Sequence, residues 1–282
     1  MENFKIGVIG SGSMGNGIAH VFAQSGFATT LIDINKDQLN KALSIIDNNL
    51  DRQINKNIIK LEDKRNALAN ISLSTNLSDC CNADLVIEAV PEKIDLKTSI
   101  FKELDHICKK TAILASNTSS ISITKLGDTT NRANQVIGMH FMNPVPVMKL
   151  VEVINTRHTS SPTTEKVLEI AKKMGKVPVQ CNDYPGFISN RILMPMINEA
   201  IFCLEQNVAT KEAIDEIMKL GMAHPMGPLK LADLIGLDVC LDIMEVLQSG
   251  FKDLKYKPSN LLKTMVGEGL LGKKVGQGFY KY

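Results

Sequence analysis

The sequence has no apolar run near the roughly 18 residues that a membrane-spanning helix needs. It has no leader pattern either: Met1-Glu2-Asn3-Phe4-Lys5 opens directly on a strand, so a cytoplasmic protein is expected. An excess of one charge is also missing. The net charge of +2 is too small to draw the chain to nucleic acid or a membrane, so any anionic ligand must be met by local charge. None of the cysteines (Cys80, Cys81, Cys108, Cys181, Cys203, Cys240) stands in C-x-x-C spacing. They are expected as free buried thiols in apolar surroundings, not as disulfides or metal ligands. Tandem repeats and low-complexity tracts are absent. What remains is a 282-residue chain, 44% hydrophobic and 22% charged, with enough apolar material for one large soluble domain or two ordinary ones.

Phe4 to Ile9 is a short apolar strand, and Gly10-Ser11-Gly12-Ser13-Met14-Gly15 follows without a gap. A helical pattern through Ile18, Ala19, Phe22 and Ala23 comes next, closed by Ser25-Gly26, and a second β-run, Ala28 to Ile32, ends in Asp33. A G-x-G-x-x-G match alone says little. Between a strand and a helix, with an acid about twenty residues on, it is the dinucleotide fingerprint. Gly10 allows the tight turn, Gly12 lets backbone approach a pyrophosphate, and Gly15 lets helix and strand pack closely. The helix N-terminus at Ser13 and Met14 offers free N–H groups to phosphates. Asp33 would accept from ribose hydroxyls and repel a 2′-phosphate, which favours NAD over NADP.

From Lys36 to about Asn70 the chain is polar and helical in period, with Leu39, Leu43, Ile46, Leu50 and Ile54 as its stripe. Its basic residues, Lys41 among them, read mostly as a solvated face. Alternatively, Arg52 and Lys56, one turn apart, form a small site for an anionic ligand tail. Ile71 to Thr75 and Asp84 to Val90 are further strands, the second apolar apart from Glu88, as suits a strand buried on both faces of a parallel sheet. Glu92 and Lys97 follow that strand's carboxyl end, where a doubly wound fold puts ligand contacts, and are candidates for the nicotinamide half of a cofactor. After the helix Ile94 to Ile107 and the strand Thr111 to Ala115 comes Ser116-Asn117-Thr118-Ser119-Ser120. These small polar residues either cap a helix from Ile121 or aim donors at a ligand.

Val136 to Phe141 and Lys149 to Ile154 are β-runs on either side of Pro144 and Pro146, which cannot donate ladder hydrogen bonds and so mark a turn. If the chain folds back at Pro146, His140 and Glu152 face each other across the strands. One reading is a general base whose tautomer and protonated form are fixed by a carboxylate. The other is a buried histidine satisfied by a backbone carbonyl, with Glu152 a solvated edge residue.

A helix from Thr163 to Met174 and a strand Lys176 to Val179 end the strand–helix alternation near Cys181. Asp183-Tyr184-Pro185-Gly186 reads as linker and helix start, with Asp183 as cap and Pro185 in the first turn. Beyond it the chain looks helical: Phe187 to Leu204 with Pro195 inside, Lys211 to Leu220, Pro228 to Leu247, and Ser259 to Val266. The expected fold is α/β, a Rossmann-type doubly wound, mostly parallel sheet over residues 1–184, followed by a smaller all-α domain over 185–282.

With these motifs placed, the chain resembles the short-chain L-3-hydroxyacyl-CoA dehydrogenases from end to end. The likeness is carried by the Gly10–Gly15 turn, Ser116–Ser120, Gly138–Glu152, Asp183–Arg191 and Gly272-Lys273-Lys274-Val275-Gly276-Gln277-Gly278-Phe279-Tyr280. It implies an NAD-dependent oxidoreductase of 3-hydroxyacyl-CoA substrates, with 3-hydroxybutyryl-CoA in view. His140 then falls on the catalytic histidine and Glu152 on its carboxylate. Ser119 falls near the substrate's 3-oxygen and the nicotinamide, and Asn190 on a substrate-binding asparagine of the second domain. Asp33, Glu92, Lys97, Asn143 and Lys274 fall on cofactor contacts and Lys56 on a basic CoA contact, while Asn49 stands where a relative carries serine. The family's second domain forms a homodimer, and Ile192, Met196, Ile197, Ile201 and Leu204 give that helix something to bury. Two rivals stand beside this reading: a dehydrogenase of a free hydroxy acid on the same scaffold, and a cofactor-binding protein without turnover.

Overall fold

The apolar runs become the strands of one sheet, and their order sets where a ligand can sit. In the computed structural model, which describes residues 3–282, β1 (Lys5–Ile9), β2 (Ala28–Ile32), β3 (Ile71–Ser74) and β4 (Leu85–Glu88) are followed by β5 (Ile113–Ser116) and β6 (Val136–Phe141). β7 (Leu150–Asn155) and β8 (Val177–Asn182) complete the sheet in the order β3-β2-β1-β4-β5-β6-β7-β8. Strands β1 to β6 run parallel, whereas β7 turns back against β6 and β8 runs parallel to β7. Between β1 and β4 the order reverses, which is the switch point where doubly wound sheets open a crevice beyond their carboxyl ends.

Helices α1 (Ser13–Gln24), α2 (Lys36–Asn55), α3 (Leu61–Ala69), α4 (Ile94–Ile107), α5 (Ile123–Gly127) and α6 (Ser161–Lys173) alternate with these strands. The long helical stretch expected from Lys36 to Asn70 is two helices, because Asn57 turns left-handed and the Asp63 carboxylate accepts the Lys60 N–H to start α3 afresh. The stripe on α2 also shifts by a residue: Leu39, Ala42, Ile46 and Leu50 are buried, while Leu43 and Ile54 are half-buried. Phe22 on α1 meets Phe27 and Phe141 edge-on, with ring centroids 5.7 and 6.5 Å apart, and these rings join α1 to β6.

His20 sits in the same core, fully buried, with Nδ1 unpartnered and Nε2 3.2 Å from Gln53. Burial pushes its pKa from 6.5 down to about 4, opposed by a Gln24 hydrogen bond and aided by the Lys176 ammonium. The folded state therefore favours the neutral ring. Stability from this site is complete above pH 6.5 and drains away as pH falls toward 4, amounting to about 3 kcal/mol over that window. Thermal melts from pH 7 to 4.5 should show the loss, and His20→Gln should flatten it.

The chain divides into two units between Asp183 and Tyr184. The second unit is helical: α7 (Ser189–Glu205), α8 (Lys211–Gly221), α9 (Pro228–Ile235), α10 (Leu237–Phe251) and α11 (Asn260–Gly267). Its core gathers Met194, Ile197, Ile201, Leu229, Leu237, Met244 and Leu247, whereas Ile192 on α7 is 66% exposed. Two expectations are corrected here. The helix expected from Pro228 to Leu247 breaks at Gly236, whose φ of 108° no helical residue takes. Asp183 does not cap the helix after it; that helix starts at Ser189, and the Asp183 carboxylate instead accepts from Ser122 Oγ and Thr124 N at the start of α5.

The tail is clasped by buried Asp233, which accepts from the Phe279 and Tyr280 N–H groups and the Tyr282 hydroxyl. The cysteines are all free, but only Cys80, Cys108 and Cys240 are buried; Cys81 is exposed, because it follows a one-turn helix at the surface. Among the described residues, no helix is long and apolar enough to cross a membrane.

Candidate active site

Gly10 has a φ of 95°, and a Cβ there would lie 2.7 Å from the Ala89 carbonyl oxygen. At Gly15 a Cβ would lie 1.7 Å from the Gly10 carbonyl oxygen, so α1 closes on the end of β1 only because Gly15 lacks a side chain, while Gly10 lets the turn pass against Ala89 after β4. Gly12 has open space around it instead. It is the N-cap of α1, no side chain caps that helix, and no acidic residue stands in its first turn. The Ser13 and Met14 end of α1 thus presents backbone N–H groups and a positive dipole end to an anion. At the end of β2, Asp33 accepts from Ser11 N and Oγ, each at 2.8 Å, and from Asn35 N at 3.0 Å. Burial disfavours its charge, yet these donors outweigh burial and hold the carboxyl below its ordinary value. A fixed anion beside a glycine turn fits a dinucleotide's ribose and pyrophosphate.

A cavity of about 320 Å³ opens beside this turn, walled by Gly12 and Ser13, by Gln38, Lys41, Ile45 and Asn49 of α2, and by Asn143 to Pro146. Lys41 and Gln38 were not singled out from sequence. Their spacing along α2 marks one exposed face, and only the loop opposite shows that the face lines a cavity. Arg52 and Lys56 are exposed at the end of α2 and do not line it; Arg52 donates to Asn49 at 3.2 Å.

The hairpin register pairs His140 with Glu152 and Gly138 with Ile154. His140 Nδ1 is 2.7 Å from Glu152 Oε2 and its Nε2 is 3.0 Å from Ser119 Oγ, with the His140 and Glu152 side chains 7% and 4% exposed. Since a carboxylate only accepts, Nδ1 carries the proton. In the neutral ring Nε2 is then the acceptor, turned toward Ser119.

The Ser116–Ser120 segment neither caps a helix at Ile121 nor hangs free. Ser122 caps α5, and Asn117 Oδ1 accepts the Phe141 N–H at 2.9 Å, tying β5 to β6. Glu92 accepts from Thr118, Ser119 and Ser120. Burial opposes its charge, but Lys97 and the Thr118 and Ser120 hydroxyls lower its pKa below the ordinary carboxyl value. Lys97 is 1% exposed and bonds Glu88 at 2.6 Å and Glu92 at 3.2 Å. In the second unit, Asn190 is buried in the first turn of α7, and Lys274 pairs with the Asp238 carboxylate.

A glycine turn at the switch point, an acid after the neighbouring β2 and a carboxylate-paired imidazole near the end of β6 fit one class: dinucleotide-dependent dehydrogenases on a doubly wound sheet. Comparison with known proteins narrows this. Residues 5–184 match the family model of the 3-hydroxyacyl-CoA dehydrogenase NAD-binding domain, and residues 186–282 match that of the C-terminal domain. A probable 3-hydroxybutyryl-CoA dehydrogenase of Deinococcus radiodurans is 55% identical over 99% of this chain and its own full length. The crystal structure of (S)-3-hydroxybutyryl-CoA dehydrogenase from Ralstonia eutropha is 49% identical with a TM-score of 0.96, covering 99% of this chain and 98% of that one. A diketoreductase acting on dicarbonyl compounds is 32% identical with a TM-score of 0.85 over 99% of each chain. The chain belongs to the 3-hydroxyacyl-CoA dehydrogenase family and is an NAD-binding oxidoreductase.

Proposed function

We propose that the protein interconverts (S)-3-hydroxybutyryl-CoA, or another short-chain 3-hydroxyacyl-CoA, and the corresponding 3-oxoacyl-CoA. The observation that carries this reading is the Ser119–His140–Glu152 line of hydrogen bonds, in a chain whose named relatives act on that substrate. NAD, when bound, supplies the hydride acceptor. In oxidation His140 Nε2 takes the proton of the 3-hydroxyl; in reduction it returns that proton to the developing alkoxide. Glu152 orients the ring through Nδ1–H and stabilises the imidazolium. Ser119 and Asn190 are assigned to the substrate's oxygens. Gly10, Gly12, Ser13, Met14, Gly15, Asp33, Glu92, Lys97, Asn143 and Lys274 are assigned to the cofactor. Lys56 and Arg52 are assigned to CoA phosphates. The helical unit carries the homodimer contact in this reading, and the protein works in the cytoplasm.

NADH oxidation followed with acetoacetyl-CoA against free acetoacetate tests the substrate class: turnover is expected with the thioester alone. Likeness to the diketoreductase favours a second reading, reduction of a free dicarbonyl compound, which turnover of acetoacetate at an equal rate would select. Asp33 gives a further test. Asp33→Asn removes charge-assisted hydrogen bonds worth roughly 1.5–3 kcal/mol and the repulsion of a 2′-phosphate. KM for NADH should rise about tenfold or more, and the ratio of kcat/KM for NADPH over NADH should rise with it.

A further inference from the structure

We propose that Glu88 is a positioning residue of the active site, acting through Lys97 and Ser116 on the segment that sets Ser119 against His140; this rests on the roles given to Ser119 and His140 above. Glu88 is the last residue of β4, has no solvent exposure, and lies one strand from Ser116 in the sheet register. A carboxylate so buried is tolerated only where every oxygen is met. Oε1 accepts the Val90 N–H at 2.7 Å and the Lys97 ammonium at 2.6 Å, and Oε2 accepts the Ser116 hydroxyl at 2.6 Å.

From there the constraint passes along two branches. In the first, Lys97 bonds Glu88, the Val90 carbonyl and Glu92, so each of its three protons has an acceptor. The other oxygen of Glu92 takes the Ser119 and Ser120 N–H groups, each at 3.0 Å. In the second, the Ser116 hydroxyl that donates to Glu88 accepts the Thr118 N–H at 3.1 Å. Both branches end on the backbone immediately around Ser119, whose hydroxyl lies 3.0 Å from His140. Without Glu88, Lys97 has no carboxylate behind it and is held only from the loop side. Ser119 then samples positions out of reach of the imidazole.

The test is a double-mutant cycle of Glu88→Gln with Ser119→Ala, read as kcat with NADH and acetoacetyl-CoA at saturation. Glu88→Gln keeps the shape and a partner for Ser116 but removes the charge facing Lys97. The expected result is a loss of about tenfold or more in kcat for Glu88→Gln alone, with KM for acetoacetyl-CoA within about threefold. In the Ser119→Ala background the same change should cost no more than about threefold, because the group it positions is gone. An equal loss in both backgrounds, or an undiminished kcat, overturns the proposal. If Glu88→Gln does not fold, Ser116→Ala takes its place in the cycle and is judged by the same overlap. Amide hydrogen exchange is a second readout. Exchange across residues 117–121 should quicken about tenfold in the variant while β1 and β6 keep their protection. Unchanged exchange there overturns the inference on its own. A wild-type protein that does not turn over acetoacetyl-CoA overturns the proposed function instead, and the exchange arm still judges Glu88.

Discussion

His140→Gln is expected to lower kcat by about 10²–10⁴ while leaving the affinity for NADH in the binary complex unchanged, the span typical of a lost general acid/base. Glutamine fills much of the same volume and keeps a polar amide where the ring stood. It cannot take up a proton at working pH, so the change isolates proton transfer from packing. The ring stands on β6, the cofactor turn follows β1, and β4 and β5 lie between them in the sheet, so the substitution does not touch the glycine loop. Steady-state rates with acetoacetyl-CoA, alongside NADH binding by fluorescence, separate the two quantities. Near-full activity in the variant would place the base elsewhere; lost NADH binding would mean that His140 supports the cofactor site and not the proton.

The second large effect concerns the glycine turn, where two substitutions of the same size should part company. In Gly15→Ala the new methyl would sit 1.7 Å from the Gly10 carbonyl oxygen, a distance that backbone alone must relieve. Overpacking of this kind costs about 1–3 kcal/mol. Moving Gly10 also moves the loop assigned to the pyrophosphate, so NADH affinity should fall at least about tenfold, a cost of about 1.4 kcal/mol or more. Gly12→Ala meets nothing within 4 Å, at a φ of −61° that alanine adopts freely. Its melting temperature should stay within a few degrees of the parent, as about 0.5 kcal/mol of surface change allows, while NADH affinity still falls because the methyl occupies the cofactor's approach. Equal stability losses in both variants would contradict this account of the turn.

The register of the hairpin was legible from its residues. A fold-back centred on Pro146 leaves His140 six residues before the turn and Glu152 six after it, and the sheet pairs them. The six parallel strands were legible as well, because short apolar runs alternate with helical periods. Features made by distant partners were not. Residues 228–247 read as one apolar helix, yet Gly236 breaks it, at a position where a Cβ would meet Lys274 and Asp238. Asp183 looks like a cap for the helix after it, but Ser122 and Thr124, some sixty positions earlier in sequence, claim its carboxylate.

Glu88 shows the same limit more sharply. As one acid in an apolar strand it carries no signal, and its place at the root of the Ser119 segment depends on Lys97 and Ser116 converging on it. Lys41 is another such case, an exposed helical lysine until the Asn143–Pro146 loop closes a cavity over it.

The pH dependence of kcat/KM in the two directions tests the central claim most directly. If one imidazole, oriented by Glu152 and facing Ser119, moves the proton, oxidation needs its neutral form and reduction its protonated form. The oxidation rate should rise and the reduction rate fall with pH across the same ionisation, and His140→Gln should erase both dependences. Profiles that move in the same direction, or that persist in the variant, would contradict the account.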